Sequence, residues 1–182
     1  MEIEIKARAK DLKAVKSRLR KIGARKKVIK HQIDTYYLPQ ARRFTPLGRG
    51  VLRTRYDKIS GQARLEYHRY ISATAGEENE LVVYDYGMLT RILNLLGAKK
   101  IVVVEKIREY YIYRNAEICL DKVRGLGNFV EVEIQGKDNQ QNNNKILYIF
   151  CKLGISQKDF IKHLRYHAML MKKKGYKHYY FK

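Results

Sequence analysis

The sequence predicts an α+β fold in which antiparallel strands close one barrel, built from two similar halves with flanking helices. Two observations predict this class. Several short segments alternate charged and apolar side chains, and a strand–helix–strand–strand order occurs twice along the 182 residues. Two such units can close a single antiparallel barrel, which leaves no unpaired sheet edge.

Alternating charges define the strands that carry this prediction. An extended backbone through residues 2–6, Glu-Ile-Glu-Ile-Lys, puts three charged side chains on one face and two isoleucines on the other. Residues 131–134 repeat the acidic pattern, and residues 53–55 and 106–108 repeat it with cations. Because charged faces of both signs recur on separate segments, we expect the charged side of the sheet to be an interior.

The chemistry of these faces indicates a class of ligand. Carboxylates bind hard divalent cations, whereas arginine and lysine bind phosphate. A site that contains both groups is typical of a complex between a metal ion and a polyphosphate.

A constant offset relates the two halves. Gly23 and Gly97 each end a predicted helix and lie 74 residues apart (97 − 23), and the Tyr36-Tyr37 and Tyr110-Tyr111 pairs keep the same offset. A repeated spacing of this kind indicates an internal duplication.

The elements of the first half follow in order. Asp11 is a typical N-cap, apolar residues at 12, 15, 19 and 22 form one face of a helix, and Gly23 ends it. We predict strands near residues 27–37, 51–57 and 63–71. We predict that the segment from Pro39 to Gly50 is a loop and that Ser60-Gly61 forms a turn.

The second half repeats this order and adds helices. We predict a strand at 81–84, a helical stripe from Leu89 to Leu96, and strands at 101–114, 117–120 and 129–134. The polar run 138–145 predicts a loop. One helix is expected before Gly154 and another from Ser156 through Leu164.

Composition limits the classes of protein. The formal net charge of +21 predicts a polyanionic partner, so non-specific nucleic-acid binding through the basic surface is one expectation. No apolar run is long enough to cross a bilayer, and Cys119 and Cys151 do not indicate a disulfide framework, so both are expected to be reduced packing residues. We therefore predict a cytoplasmic monomer or homodimer with one domain over residues 1–170 and a basic, aromatic extension over 171–182.

The motifs in order resemble those of the CYTH superfamily, the triphosphate tunnel metalloenzymes. The opening Glu-x-Glu-x-Lys is similar to the superfamily signature, and the branch with the nearest motifs is class IV adenylate cyclase. The other matching segments, over roughly residues 1 to 170, are Gln32–Tyr37, Leu52–Arg55, Glu78 with Glu80, Lys106–Arg108, Cys119–Asp121, Gly125–Glu133 and the segment that starts at Ser156.

This resemblance implies an eight-stranded tunnel and a role for each charged residue. His68 stands where the family usually has lysine. Glu4, Lys6 and Glu133 would be catalytic. Mg²⁺ or Mn²⁺ would be bound by Glu2, Glu4, Asp121, Glu131, Glu133 and Glu80, and the phosphates would be bound by Lys6, Arg53, Arg55, His68, Lys106 and Arg108.

The sequence is compatible with more than one activity. The nearest branch converts ATP to cyclic AMP and pyrophosphate, whereas a triphosphatase of the same fold would hydrolyse inorganic, nucleoside or thiamine triphosphate. ATP or inorganic triphosphate is the expected substrate. The alternative from another class is an RNA- or polyanion-binding module without turnover. His163 and His167, four residues apart, are interpreted as surface residues rather than metal ligands.

Overall fold

The computed structural model describes residues 2–38, 50–70, 75–161 and 165–175. Most of the predicted Pro39–Gly50 loop, His163 and the end of the basic extension lie outside these ranges. The helices and strands, in chain order, are β1 (Glu2–Arg8), α1 (Leu12–Lys21), β2 (Arg25–Leu38), β3 (Gly50–Asp57), β4 (Ala63–Tyr70), β5 (Ala75–Val83), α2 (Tyr86–Leu95), β6 (Lys99–Tyr113), β7 (Ala116–Val123), β8 (Gly127–Gln135), α3 (Gln140–Lys152) and α4 (Tyr166–Lys173).

The eight strands form one antiparallel sheet with the hydrogen-bonded order β1-β5-β4-β3-β2-β6-β7-β8. Strand β1 pairs with β5 through Glu2 opposite Gly76, and with β8 along its whole length, from Glu2 opposite Gln135 to Arg8 opposite Phe129. The predicted α+β class, with eight antiparallel strands and flanking helices, is therefore confirmed.

The internal repeat extends to the helix caps. The side chain of Asp11 accepts from the backbone N–H of Lys13, and that of Asp85 accepts from the backbone N–H of Met88. These caps are 74 residues apart (85 − 11), as are the starts of α1 and α2 and those of β2 and β6. Gly23 and Gly97 follow the two helices with φ of 79° and 71°, a conformation in which only glycine is unstrained.

Three sequence predictions about elements differ from the structure. The strand predicted at 81–84 is β5, which already begins at Ala75 and ends at Val83. Residues 140–145 are not a loop but the first half of α3, whose N-cap Asn139 accepts from the backbone N–H of Asn142. The helix expected from Ser156 is a single 3₁₀ turn, Gln157–Asp159, after which Phe160 is extended and forms a β-bridge with Ala7. In α3, burial of apolar side chains outweighs local propensity, because its residues Ile146, Ile149 and Phe150 are buried.

The chain divides into two compact units, each described by itself. The first unit comprises Met1–Ile29, Ser72–Gly76 and Ile107–His163, and the second comprises Lys30–Ile71, Glu77–Lys106 and Leu164–Lys182. In the first unit the apolar face of β1, with Ile3 and Ala7 fully buried, packs in one core with α1 and α3. This core lies on the face of β1 opposite its charged side chains, which positions those charges on the other side of the sheet.

No helix in the described part of the chain is long and apolar enough to cross a membrane. The two cysteines are unpaired. Cys119 is buried as predicted, whereas Cys151 is exposed, so its predicted packing role is wrong.

Candidate functional site

Five charged side chains form a buried network in the first unit, which we call the Lys6 cluster: Glu4, Lys6, Arg108, Asp121 and Glu131. Lys6 Nζ lies 2.7 Å from Glu131 Oε1 and 3.0 Å from Glu4 Oε1. Arg108 donates to both carboxylate oxygens of Asp121, at 2.7 and 2.5 Å, and its Nη2 also contacts Glu131. The network therefore joins β1, β6, β7 and β8 through two cations and three anions.

Burial makes this network energetically demanding. Asp121 is fully buried, and the side chains of Lys6 and Glu131 are less than a tenth exposed. Burial alone would lower the pKa of Arg108, but Asp121 and Glu131 outweigh it and hold that pKa well above its usual value. Such charges are stable here because each is paired, and removing one partner would leave the other charge buried without compensation.

A row of three glutamates crosses the same face of the sheet. Glu4 on β1 lies directly opposite Glu133 on β8, and Glu133 lies directly opposite Glu117 on β7. Directly opposed side chains have Cβ atoms about 4.5–5.5 Å apart, and like charges in such positions destabilise a sheet. Lys6 contacts Glu4, and Gln135 Nε2 donates to Glu133 at 3.0 Å. A divalent cation bound by these carboxylates would reduce the repulsion between them.

The donor chemistry of this row fits a hard divalent metal ion. All the available donors are carboxylate oxygens, the ligands that Mg²⁺ and Mn²⁺ prefer. Within the described residues, no group of three or more His, Cys, Asp or Glu side chains is arranged to bind a metal ion as it stands. The support for a metal is therefore the strand register and the excess of negative charge. In such a site Glu4, Glu133 and Glu117 would bind the ion, whereas Asp121 already forms an ion pair with Arg108.

A second network, the Arg53 cluster, lies in the second unit and comprises Asp34, Arg53, Arg55, Glu66, His68, Glu78 and Lys106. Arg53 Nε contacts Glu66, and Arg53 Nη2 lies 2.6 Å from Glu78 Oε1. Arg55 donates to both oxygens of Asp34, at 2.7 and 3.0 Å. These contacts follow from the register, which pairs Arg53 with Glu66 and Arg55 with Asp34 across neighbouring strands.

Asp34 is the centre of this second network. It is fully buried, and Lys106 Nζ lies 3.5 Å from its Oδ2. Burial alone would raise the pKa of Asp34, but Arg55, Lys106 and Arg53 outweigh it and hold that pKa far below its usual range. Three cations therefore surround one carboxylate, which holds them together in one cluster.

Glu78 and Glu80, both on β5, have different surroundings. Glu78 accepts from Arg53, and its Oε1 lies 2.9 Å from His68 Nδ1. Burial would raise the pKa of Glu78, but the hydrogen bond from His68 and the charge of Arg53 outweigh it and keep that pKa far below its usual range. Glu80 is more exposed and pairs with Arg64 at 2.7 Å. The interpretation of Glu80 as a metal ligand stays a prediction.

The prediction that His167 lies on the surface is wrong. His167 is buried on α4, and its ring centroid lies 4.5 Å from that of Tyr36. The hydroxyl of Tyr36 accepts from Arg53 at 3.3 Å, and Lys106 Nζ lies 5.5 Å from the ring centroid of Tyr166. Helix α4 thus places aromatic side chains against the Arg53 cluster.

Nearly all the predicted site residues fall into these two networks. Sequence reasoning missed Asp34 and Glu66, although each alternates with other polar residues along its strand, and it missed Glu117, which shares a face with Asp121. The predicted roles stay predictions. Glu4, Lys6, Arg108, Asp121 and Glu131 meet in the first unit with Glu133 and Glu2 beside them, while Arg53, Arg55, His68 and Lys106 meet in the second.

The depressed carboxylate pKa values predict acid sensitivity. Asp34 and Glu78 bind protons less readily in the folded chain than in the unfolded chain, whose carboxyl pKa values are near 4. Their contribution to stability is therefore complete above about pH 5 and declines progressively as the pH falls below about 4. Urea unfolding between pH 6 and pH 3 would measure this decline, and Glu78→Gln should make it shallower. An unfolding free energy that is constant between pH 5 and pH 3 would contradict the assignment.

The sheet and its two charged networks define the class of protein. A sequence profile described as the CYTH domain matches residues 1–164 of this chain. The chain belongs to the CYTH domain family, so the resemblance drawn from its motifs is confirmed.

Three other proteins are similar to this chain. A protein of Methanocaldococcus jannaschii that bears the provisional name adenylate cyclase is 30% identical over 169 residues, 89% of this chain and 94% of its own. The structure of the PH1819 protein from Pyrococcus horikoshii OT3 is 25% identical with a TM-score of 0.80, covering 95% of this chain and 99% of that one. A provisionally named adenylyl cyclase from Hippeastrum, described as having a dominant triphosphatase activity, shares the fold at 15% identity and a TM-score of 0.64, with 96% of each chain covered.

Proposed function

We propose that this protein is a divalent-metal-dependent enzyme that acts on a triphosphate. One observation carries the proposal: each of two buried networks holds three carboxylates together with several cations, Lys6 and Arg108 in the first unit and Arg53, Arg55 and Lys106 in the second. A protein that needed only stability would gain more from apolar residues of similar volume at these positions. The cost of burying these charges is explained if they bind a ligand that is itself highly charged.

Each network has a distinct role in this proposal. Glu4 and Glu133, with Glu2, Glu131 and Glu117 nearby, would hold Mg²⁺ or Mn²⁺. When bound, such an ion neutralises charge that develops on the phosphoryl oxygens. Among the cations, Lys6 and Arg108 of the first unit would each contact phosphate oxygens, and so would Arg53, Arg55, His68 and Lys106 of the second.

Arginine and lysine contribute differently to these phosphate contacts. The planar guanidinium of Arg53 or Arg55 can donate two parallel hydrogen bonds, and the anions beside it hold it in orientation. Lys6 and Lys106 act as point charges. His68 contacts Glu78, which keeps its ring orientated.

We also propose that the eight strands close into a tunnel. The extension is supported by the pairing of β1 with β8, because these two strands stand at opposite ends of the hydrogen-bonded order. A tunnel would exclude bulk water and so strengthen each contact between charged groups.

Two reactions are compatible with these residues. In a cyclase, the ribose 3′-oxygen attacks the α-phosphorus and pyrophosphate leaves. In a triphosphatase, water attacks the terminal phosphorus. The provisional name of the Methanocaldococcus relative favours the first, and the activity described for the Hippeastrum protein favours the second. We propose adenylate cyclase activity on ATP as the leading reaction and hydrolysis of triphosphate as its alternative.

The identity of the products tests this function. Purified protein is incubated with ATP and, separately, with inorganic triphosphate, each with Mg²⁺, with Mn²⁺ or with a chelator. Cyclic AMP with pyrophosphate identifies a cyclase, and orthophosphate identifies a triphosphatase. We expect turnover with metal and none with chelator. Absence of both products with either metal would overturn the proposal.

A polyanion-binding module is the second candidate function. Helix α1 and the start of β2 expose Lys13, Arg20, Lys21, Arg25 and Lys27, and the first turn of α1 has no acidic residue. This surface fits the sequence prediction of non-specific nucleic-acid binding. Nucleic-acid binding without any turnover in the product assay would favour this alternative.

A further inference from the structure

A cleft of about 440 Å³ lies in the first unit, between helix α3 and the turn that joins β6 to β7. We call it the α3 cleft. Its volume lies within the range of about 300–1,000 Å³ that is typical of small-molecule sites. It is lined by Tyr113, Arg114, Asn115, Gln141, Asn144, Lys145, Tyr148 and Ile149.

The α3 cleft is separate from the candidate triphosphate residues. Tyr113 and Arg108 lie on the same strand, but an odd number of residues apart, so their side chains are on opposite faces. Tyr113 packs against the apolar core, whereas Arg108 belongs to the Lys6 cluster. A ligand in the cleft would therefore contact none of the residues assigned above to metal or triphosphate.

Aromatic rings form one part of the cleft. Tyr148 is 47% exposed, and the Lys152 ammonium lies 5.3 Å from its ring centroid. The guanidinium of Arg114 lies 5.3 Å from the ring centroid of Tyr113. Buried Ile149 anchors the part of α3 that carries Tyr148, and Tyr113 packs against the core. Aromatic rings and a guanidinium plane are surfaces on which nucleobases stack.

The remaining lining supplies charge and hydrogen bonds. Arg114 and Lys145 bring two positive charges, and none of the lining residues is acidic. Lys145 donates to the side-chain oxygen of Asn142, a neutral partner, so its charge stays available to an anion. Asn115, Gln141 and Asn144 carry amides that can both donate and accept. An inorganic anion would not contact the aromatic rings favourably, and an apolar ligand would not pair with the cations.

We propose that the α3 cleft binds a nucleobase that carries a phosphate. The base would stack on Tyr148 or Arg114, an amide would contact its edge, and Arg114 and Lys145 would contact the phosphate. Either a free nucleotide or one nucleotide of a single-stranded RNA has this chemistry. The basic helix α1 contacts the same face of β6, because Lys16 pairs with Glu109 four residues before Tyr113.

A single tryptophan can report binding at the cleft, because the chain contains none. Tyr148→Trp places that fluorophore in the cleft, and its emission is followed during titration with AMP, adenosine, inorganic phosphate or an eight-nucleotide RNA with a 5′-hydroxyl end. We expect saturable quenching by AMP or RNA at lower concentrations than by adenosine or phosphate. Tighter binding of RNA identifies a strand as the source, and equal or tighter binding of AMP identifies a free nucleotide.

Removal variants then test the contacts by calorimetry with AMP and RNA. Tyr148→Ala and Arg114→Gly should each weaken binding at least fivefold. Arg114 has φ of 54°, which glycine adopts without strain, so this variant removes the cation and keeps the fold. The matched controls are Tyr84→Ala, at a fully exposed tyrosine, and Lys122→Ala, at the far end of β7; both should bind as the parent does.

Three results would overturn the inference: no saturable binding of AMP or RNA, phosphate binding as tight as AMP, or the same loss in Lys122→Ala as in Arg114→Gly. The test of nucleotide binding at the cleft is independent of the test of the proposed activity. Tyr148→Ala should turn over inorganic triphosphate at the parent rate, so loss of nucleotide binding and loss of turnover are independent readouts.

Discussion

Glu133→Gln is expected to lower turnover of the triphosphate substrate at least a hundredfold and to leave the fold intact. Glu133 is the middle member of the glutamate row, directly opposite both Glu4 and Glu117. The substitution keeps the shape of the side chain and deletes one negative charge. Losing a carboxylate that holds the metal should cost orders of magnitude in rate.

Stability should respond in the opposite sense. The amide oxygen of glutamine can still accept from Gln135 Nε2, which lies 3.0 Å from Glu133 Oε1. Removing one of three opposed like charges relieves repulsion, so the melting temperature should be equal to or above that of the parent. Turnover is measured by product formation with Mg²⁺ or Mn²⁺, and unfolding by thermal denaturation.

The matched control is Glu77→Gln, at an exposed glutamate of β5 that lies 3.9 Å from Arg69. It should turn over substrate at the parent rate. If Glu133→Gln kept turnover within a factor of two of the parent, Glu133 would not hold a metal, and the glutamate row would have only a structural role.

Asp34→Asn is expected to cost roughly 3–5 kcal/mol of unfolding free energy, the usual penalty for breaking a buried ion pair. Asp34 is fully buried between Arg55 and Lys106, so the amide would leave these cations without their counter-charge. The loss is a large share of the 5–15 kcal/mol that stabilises most domains. Thermal unfolding should shift down by roughly 6–20 °C for a chain of this size.

The comparison is Glu80→Gln, which breaks the more exposed pair with Arg64. An exposed pair contributes about 1 kcal/mol or less, so this variant should unfold almost as the parent does. Urea denaturation of the three proteins at pH 7 measures the difference. Equal unfolding free energies for Asp34→Asn and Glu80→Gln would show that Asp34 does not compensate the cations around it.

Local patterns were enough to predict most of the strands. A period of two places Glu2, Glu4 and Lys6 on one face of β1 whatever the strand pairs with, because the geometry of the extended backbone is local. The caps at Asp11 and Asp85 and the glycines after each helix are local for the same reason. The constant offset of 74 residues then predicts the second half from the first.

Strand β5 and helix α3 show where local patterns fail. Residues 77–80 of β5 are acidic or polar and follow Ala75 and Gly76, so this stretch lacks the alternation that predicts a strand, although its pairing with β1 begins at Ala75. Residues 142–144 of α3 are three asparagines, which are among the weaker helix formers. In α3, apolar side chains further along the helix, buried in the core, decide the conformation, and these contacts join segments that are distant in the sequence.

The sequence by itself determined which residues share a face, and therefore that the protein has charged strand faces and belongs among the CYTH proteins. Only the tertiary structure decided which charges meet. The strand register aligns Glu117 with Glu133 and Glu4. In the folded chain Asp34 is surrounded by three cations, and Arg53 pairs with Glu78 rather than with Glu80. Side-chain parity along a strand depends on the local backbone alone. The partner across the sheet depends on loop lengths and on the burial of the opposite face, which no short stretch of sequence contains.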